Sequence, residues 1–325
     1  MAIFSSLAYN WQHFANHVGI PLFFWRRPTW SVRQMSEQSG KVVLITGGNA
    51  GTGYATALAL YNAGANVTIA YRSLDHAREA VEGIKKNAES KVGTVDVLEL
   101  LDLADLGSVQ RAAEEYKTQP CQTAGLALLE RWHHGHGNGP SKATLSNLKL
   151  WSSPTIASPP ILCLSSCPPA PSRPESTSLA SLAHNLAPPG GIDYLSLIRH
   201  PDDVPDPDGS PKRGKNEQER WAEYGQSKWG VYRFGEVSCG LAEKYDPKEL
   251  IAVAVHPGSL STNLFQPSRS GPVPIPFPEA LARNGRYVTP FNHALEPRGD
   301  LVGEEGKKKA VELWEWCDEQ GKKFQ

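Results

Sequence analysis

The stretch from Thr46 to Gly53 constrains this chain more than any other, because spaced glycines separate an apolar run, Val42 to Ile45, from an alanine-rich segment of helical character. A short β-branched run, a glycine turn and then a helix form the opening of a βαβ unit. Gly47 permits a tight turn, Gly51 lets backbone amides approach a bound anion, and Gly53 allows the helix to lie close against the strand. The helix N-terminus adds partial positive charge at the same place. Thr46, Gly47, Asn49, Gly51 and Gly53 are therefore expected to hold the pyrophosphate of a dinucleotide.

Alternation of apolar runs with helical periodicity continues to Tyr116. Val67 to Ala70 and Val95 to Leu100 read as the second and third strands, Leu74 to Ala88 and Ser108 to Tyr116 as helices. Such alternation predicts an α/β chain with a Rossmann-type, doubly wound parallel sheet. Farther on, Ser178 to His184 restores order, and Pro188 to Lys215 is a polar, solvent-exposed loop rich in proline and glycine. Glu217 to Tyr245 suits a long helix and Leu250 to Val255 a buried strand. Gly306 to Phe324 carries Ala310, Leu313, Trp314 and Cys317 on one helical face. A chain of 325 residues with this pattern is read as a single domain from residue 41 onward, preceded by an aromatic extension over residues 1–40.

Composition argues against several functions. Acidic and basic residues nearly cancel, 34 against 33, which disfavours nucleic acid as a partner. Five cysteines, with only Cys163 and Cys167 close together, make neither a disulfide framework nor paired zinc half-sites, so a reducing, cytoplasmic setting is expected. His133, His134 and His136 lie among glycines without a carboxylate or cysteine at ligand spacing, and no metal site is expected there. The N-terminal residues show neither a signal peptide pattern nor a membrane-spanning run. Phe4, Leu7, Trp11, Phe14 and Val18 do recur at helical spacing ahead of Arg26 and Arg27. That pattern fits a helix packed on the protein's own surface or on a second subunit of a homodimer, with peripheral membrane contact through residues 1–30 as the alternative.

Two further signals specify chemistry. At the end of the second strand of a dinucleotide site, an acidic residue would bond the ribose hydroxyls and repel a 2′-phosphate. Here the chain reads Ala70, Tyr71, Arg72, Ser73, and the guanidinium of Arg72 suits the 2′-phosphate of NADP(H); the plainer alternative is a surface arginine with no ligand. Asp102 and Leu103, just after the third strand, are candidates for adenine contacts. Tyr224 and Lys228 stand four apart on a predicted helix and so project from one face. An ammonium beside a phenol stabilises the phenolate, which makes Tyr224 a candidate proton donor and acceptor.

The glycine turn, the Tyr-x-x-x-Lys pair and the run Ser181-Leu182-Ala183-His184 resemble the short-chain dehydrogenase/reductase family, the serine run most closely its retinol dehydrogenase-like members. The resemblance implies that Ser181 holds the substrate oxygen, that Tyr224 exchanges the proton, and that Lys228 also binds the nicotinamide ribose. It implies too that Pro257 and Gly258, within His256-Pro257-Gly258, form a turn over the nicotinamide and that Thr262 contacts its carboxamide. The implied function is an NADP(H)-dependent oxidoreductase interconverting a small lipophilic alcohol and its aldehyde or ketone. The alternative is a non-catalytic NADP(H)-binding protein or an inactive remnant of such an enzyme.

Residues 117–177 depart from that resemblance. They are rich in Ser, Pro and His without strand or helix periodicity, and neither the family's Asn-Asn-Ala-Gly stretch nor its helical asparagine is present. Phe265 to Tyr287 is also short for the family's substrate-covering segment. A sheet incomplete in the middle, low order over residues 117–177 and weak or absent activity are expected. The residues themselves point to a neighbouring reading frame. Glu130 to His134 can be encoded GAA CGC TGG CAT CAT, which one base later reads Asn-Ala-Gly-Ile-Met. Trp151 to Pro159 can be encoded so that two bases later it reads Val-Val-Ala-Asn-His-Arg-Leu-Ala. Sequencing the transcript checks this: both motifs are expected in its displaced frames, and a confirmed message whose other frames encode neither refutes the displacement.

Overall fold

The computed structural model describes residues 31–71, 73–90, 93–98, 107–108, 111–112, 115, 123–128, 175–194, 217–235, 251–257, 287–289, 293–295, 298–301 and 303–322. Strand β1 (Val42–Thr46) runs through the middle of the sheet, with Val43, Leu44, Ile45 and Thr46 all buried. A parallel strand covered on both faces needs a continuous apolar run rather than alternation, and these residues supply one. On one side of β1 lie β2 (Asn66–Ala70) and then β3 (Thr94–Leu98), both parallel. On the other side follow β4 (Thr123–Leu128), β5 (Glu175–Leu179), β6 (Ile251–Val255) and β7 (Tyr287–Thr289), again parallel, and β8 (His293–Leu295) antiparallel to β7. Among the described residues the order is β3-β2-β1-β4-β5-β6-β7-β8, so the direction of travel reverses between β1 and β4. At such a reversal the connections part to opposite faces and leave a crevice at the carboxyl ends of the strands.

Helices α1 (Gly51–Asn62) and α2 (Leu74–Asn87) cover the first half of the sheet. Ala57, Leu60 and Tyr61 of α1 join Ala80 and Ile84 of α2 and Ile45, Val67, Ile69, Val95, Val253 and Val255 in one buried cluster. Burying a side chain the size of Leu60 or Ile84 contributes about 1.5–3 kcal/mol. On α2 the buried Ala77, Ala80 and Ile84 are spaced three and four apart, while Asp75, Arg78, Glu79, Lys85 and Lys86 face water. Residues 107, 108, 111, 112 and 115 are helical, where the sequence placed a helix from Ser108.

After β5 comes a short 3-10 helix, Leu182–Leu186, then α3 (Glu217–Gly235) and, near the C-terminus, α4 (Gly303–Lys322). Ala310 and Leu313 of α4 are buried as their spacing predicts. Trp316, outside that stripe, packs against Tyr194 with ring centres 5.4 Å apart. The side chains of Trp314 and Cys317 lie outside the described residues, as do residues 1–30 with their aromatic pattern. Among the described residues no helix is long and apolar enough to cross a membrane.

The middle of the sheet is not incomplete, contrary to the expectation for residues 117–177. Strand β4 sits between β1 and β5, with Val42 opposite Thr123 and Val43 opposite Gly125. The register skips Ala124 there, then runs regularly until Thr46 faces Leu128. Alternation is the wrong criterion for a strand flanked on both sides. What it needs is a continuous small and apolar run, which Ala124 to Leu128 is. Strand β5 likewise starts at Glu175, before the expected Ser178. The antiparallel pair β7 and β8 was not foreseen, since three-residue strands carry too little periodicity to read. Residues 129–174, with the histidines, the cysteine pair and the displaced-frame motifs, lie outside the described residues.

Candidate active site

The carboxyl ends of β1, β5 and β6 bring the candidate residues to one edge of the sheet. At the end of β1, Thr46 is buried and the Gly47 amide donates to the Ala70 carbonyl at 3.1 Å. Gly47 and Gly51 have φ of +65° and +57°, the left-handed region that glycine enters without strain. A Cβ on Gly53 would run into the carbonyl oxygen of Gly47, so α1 starts pressed against the turn. Ala50, the N-cap of α1, offers no side-chain hydrogen bond to the first-turn amides. Among the described residues, Asn49 Oδ1 is buried without a hydrogen-bond partner. Uncapped amides, a positive helix end and backbone unobstructed by side chains fit the pyrophosphate of a dinucleotide. An asparagine oxygen left over beside them suits a donor on the same ligand.

At the end of β5, Ser181 is the N-cap of the 3-10 helix, and its Oγ accepts from the Ala183 amide at 3.1 Å. That bond places the oxygen and leaves the hydroxyl hydrogen to be donated. From α3 the Lys228 side chain, 3% exposed, reaches across to donate from Nζ to the Leu179 carbonyl at 3.0 Å. A buried ammonium needs such a partner. The same Nζ lies 5.8 Å from the centre of the Tyr224 ring. One charge thereby ties the helix that carries Tyr224 to the strand end that leads into Ser181.

This crossing is possible because of Gly225. A Cβ there would meet the backbone of Ala187 and Leu186, so α3 and the 3-10 helix touch backbone to backbone. One turn along, Trp229 is buried against Gly191, whose φ is +91° and which has no room for a Cβ beside the indole. Buried Gln226 accepts the Asp193 amide at 2.7 Å and fastens the following loop to α3. Glycine inside a helix costs about 1 kcal/mol relative to alanine, so Gly225 directly after Tyr224 was a legible sign of close packing that the sequence reading passed over.

Two histidines, the buried His184 and the partly buried His256, were also passed over as site residues. His184 is 1% exposed, stacks on Tyr232 with ring centres 5.5 Å apart, and has Nδ1 2.6 Å from the Ser181 carbonyl, which places a hydrogen on Nδ1. Burial lowers its pKa to about 4; the bond to Ser181 raises it, Arg298 lowers it and Asp300 raises it by smaller amounts. His256, at the end of β6, is lowered to about 3, first by burial and then by the charge of His184. Pro257 follows it. Gly258, Thr262, Arg72, Asp102 and Leu103 lie outside the described residues. Among the described residues no group of three or more His, Cys, Asp and Glu is arranged to hold a metal ion.

Residues 41–121 match the short chain dehydrogenase family. A short-chain dehydrogenase/reductase of Armillaria gallica is 28% identical over 326 residues, spanning 92% of this chain and 96% of that one. Another, of Pestalotiopsis fici, is 26% identical and spans 98% of this chain and 99% of its own. The chain is thus similar to the short-chain dehydrogenase/reductase family, in the family match over residues 41–121 and in these relatives along most of its length. The chain has the Rossmann-type sheet, and the relatives that it matches along most of its length are short-chain dehydrogenases/reductases. The crystal structure of an uncharacterized protein of Mycobacterium paratuberculosis shares that fold, with a TM-score of 0.54 over 90% of this chain and 97% of that one at 20% identity.

In this chain the two histidines set an acid limit. Above the ordinary value of 6.5 both are neutral whether the chain is folded or not. As pH falls below it, the unfolded chain takes up protons that the folded chain refuses until about 4 at His184 and about 3 at His256. Stability is therefore full above 6.5 and is lost on acidification, with a slope approaching about 1.4 kcal/mol per pH unit for each histidine. Urea unfolding between about pH 7 and about pH 5 measures the slope. His184→Gln, which keeps a donor without titrating, should flatten it by one proton; an unchanged slope would place the acid sensitivity elsewhere.

Proposed function

We propose that this oxidoreductase uses NADP(H) to interconvert a small lipophilic alcohol and its aldehyde or ketone. The observation that carries the reading is the tie from Lys228 Nζ to the Leu179 carbonyl beside the Tyr224 ring, which joins the proton-exchanging helix to the strand end leading into Ser181. The choice of NADP(H) is supported by Arg72, which follows β2 where an acidic residue would favour NAD(H). The substrate class is supported by the likeness of Ser181 to His184 to the retinol dehydrogenase-like members.

When bound, the nicotinamide supplies or accepts a hydride at the substrate carbon. Ser181, with its oxygen engaged by the Ala183 amide, donates its hydroxyl hydrogen to the substrate oxygen and orients it. Tyr224 gives its phenolic proton to that oxygen in reduction and takes it back in oxidation. Lys228, anchored on Leu179, keeps a positive charge beside the phenolate that remains. The rival reading is an NADP(H)-binding protein without turnover, and the absence of the family's strand and helix motifs from residues 117–177 is what favours it. Balanced charge and scattered cysteines support a cytoplasmic setting, and the spacing of Phe4, Leu7, Trp11 and Phe14 supports packing on the protein's own surface or on a second subunit.

Tyr224→Phe keeps the ring and removes the proton, so NADPH binding should persist while turnover of aldehydes and ketones falls by roughly two decades or more. Undiminished turnover would sink the mechanism, and a wild-type chain that binds NADPH yet turns over none of them selects the rival. Arg72→Asp should weaken NADPH binding by roughly tenfold or more and favour NADH, since a carboxylate repels the 2′-phosphate but accepts bonds from free ribose hydroxyls. A titration with unaltered NADPH affinity removes Arg72 from the site.

A further inference from the structure

We propose that Arg298 is a positioning residue for Ser181, holding the far end of the short helix that Ser181 caps. The proposal rests on the reading of Ser181 as the group that orients the substrate oxygen. Arg298 stands more than a hundred residues downstream, just ahead of α4, yet its Nη1 donates to the Ala187 carbonyl at 2.8 Å and its Nη2 to the Pro188 carbonyl at 3.0 Å. Ala187 is the C-cap of the 3-10 helix whose N-cap is Ser181. The carbonyls at such an end lack partners within the helix and carry partial negative charge, so a cation is well placed there.

The guanidinium is itself held from behind. Asp300 lies 2.7 Å from Nε through Oδ1 and 2.7 Å from Nη2 through Oδ2, with side chains 13% and 18% exposed for Arg298 and Asp300. Lys309 of α4 is 3.9 Å from Asp300 Oδ2 and 3.1 Å from Glu305 Oε1, which links the carboxylate to the C-terminal helix. One planar fork thus grips two successive carbonyls in front and a carboxylate behind, an arrangement that the single ammonium of a lysine cannot reproduce. The helix between is only Leu182–Leu186, too short to bend, so displacement at Ala187 is passed to Ser181. On its other side the same helix meets Gly225 backbone to backbone. Contact with α3 alone fixes how near the helix lies; the clasp at its end fixes its rotation. Arg298 and Asp300 both lie close enough to His184, which bonds the Ser181 carbonyl, to act on its charge state.

The test compares the full-length wild type with Arg298→Met, Arg298→Lys and Asp300→Asn, by amide hydrogen exchange, by NADPH binding and by turnover of whichever aldehydes the wild type reduces. In Arg298→Met, exchange over residues 182–191 should rise by about tenfold or more, with β1, β2 and NADPH affinity unmoved. Turnover should fall by about tenfold, through kcat and not through KM for NADPH. Arg298→Lys should fail to restore either property. Unchanged exchange over residues 182–191 overturns the proposal. So does a rise spread evenly into β1 and β2, which marks a general structural role, and so does wild-type behaviour of Arg298→Lys. If Arg298→Met does not fold, Asp300→Asn keeps the guanidinium but loosens its grip, and the same local rise at smaller amplitude is expected; no rise is again fatal. A wild type that reduces no aldehyde or ketone counts against the oxidoreductase reading, while the exchange pattern still decides the clasp.

Discussion

The site depends on a place where two backbones touch. At Gly225 helix α3 has no side chain to hold it off Leu186 and Ala187, and at that separation Lys228 Nζ reaches the Leu179 carbonyl. Any larger residue would lift the helix away, and interiors packed at crystal-like density give little room to absorb the change. Trp229 and Tyr232 continue the same face, the first against Gly191 and the second against the imidazole of His184. Tyr224 and Lys228 therefore owe their placement to the packing of the neighbours on their helix.

Strand polarity does the rest. Because β1, β5 and β6 are parallel and lie on either side of the reversal in strand order, Gly47, Ser181 and Pro257 all emerge at one edge although long stretches of chain separate them. The helix face with Tyr224 and Lys228 crosses above that edge. A cofactor lying along it would meet glycine backbone at one end and the serine and tyrosine hydroxyls at the other.

Much of this was legible in the residues. The first βαβ units declared themselves because Val42 to Ile45 and Val67 to Ala70 are continuous apolar runs bounded by glycine and polar turns, and α2 because its apolar positions repeat at helical spacing. The Tyr224 and Lys228 pair could be placed on one face because four residues make slightly more than a helical turn. Strand β4 was missed because its run of Ala, Gly and Leu carries no alternation, and β5 because Glu175 to Ser178 is polar while Thr177 and Ser178 are nonetheless buried by their neighbours. Arg298 was invisible for another reason: its partners are backbone carbonyls, which leave no trace in the identity of the residues that present them.

Among the described residues, both rims of the sheet are short of what another chain would need to pair with them. At one, β8 is three residues long and runs against its neighbour, so few free amides and carbonyls line up in register. At the other, β3 turns Thr94 and Asp96 outward, and a carboxylate on an open edge repels a copy of itself. An eight-stranded sheet with an apolar interior is a ready template for fibrous stacking when its borders are long and uncharged. Among the described residues, both borders are short, and the one at β3 also carries a charge, features that work against strand addition.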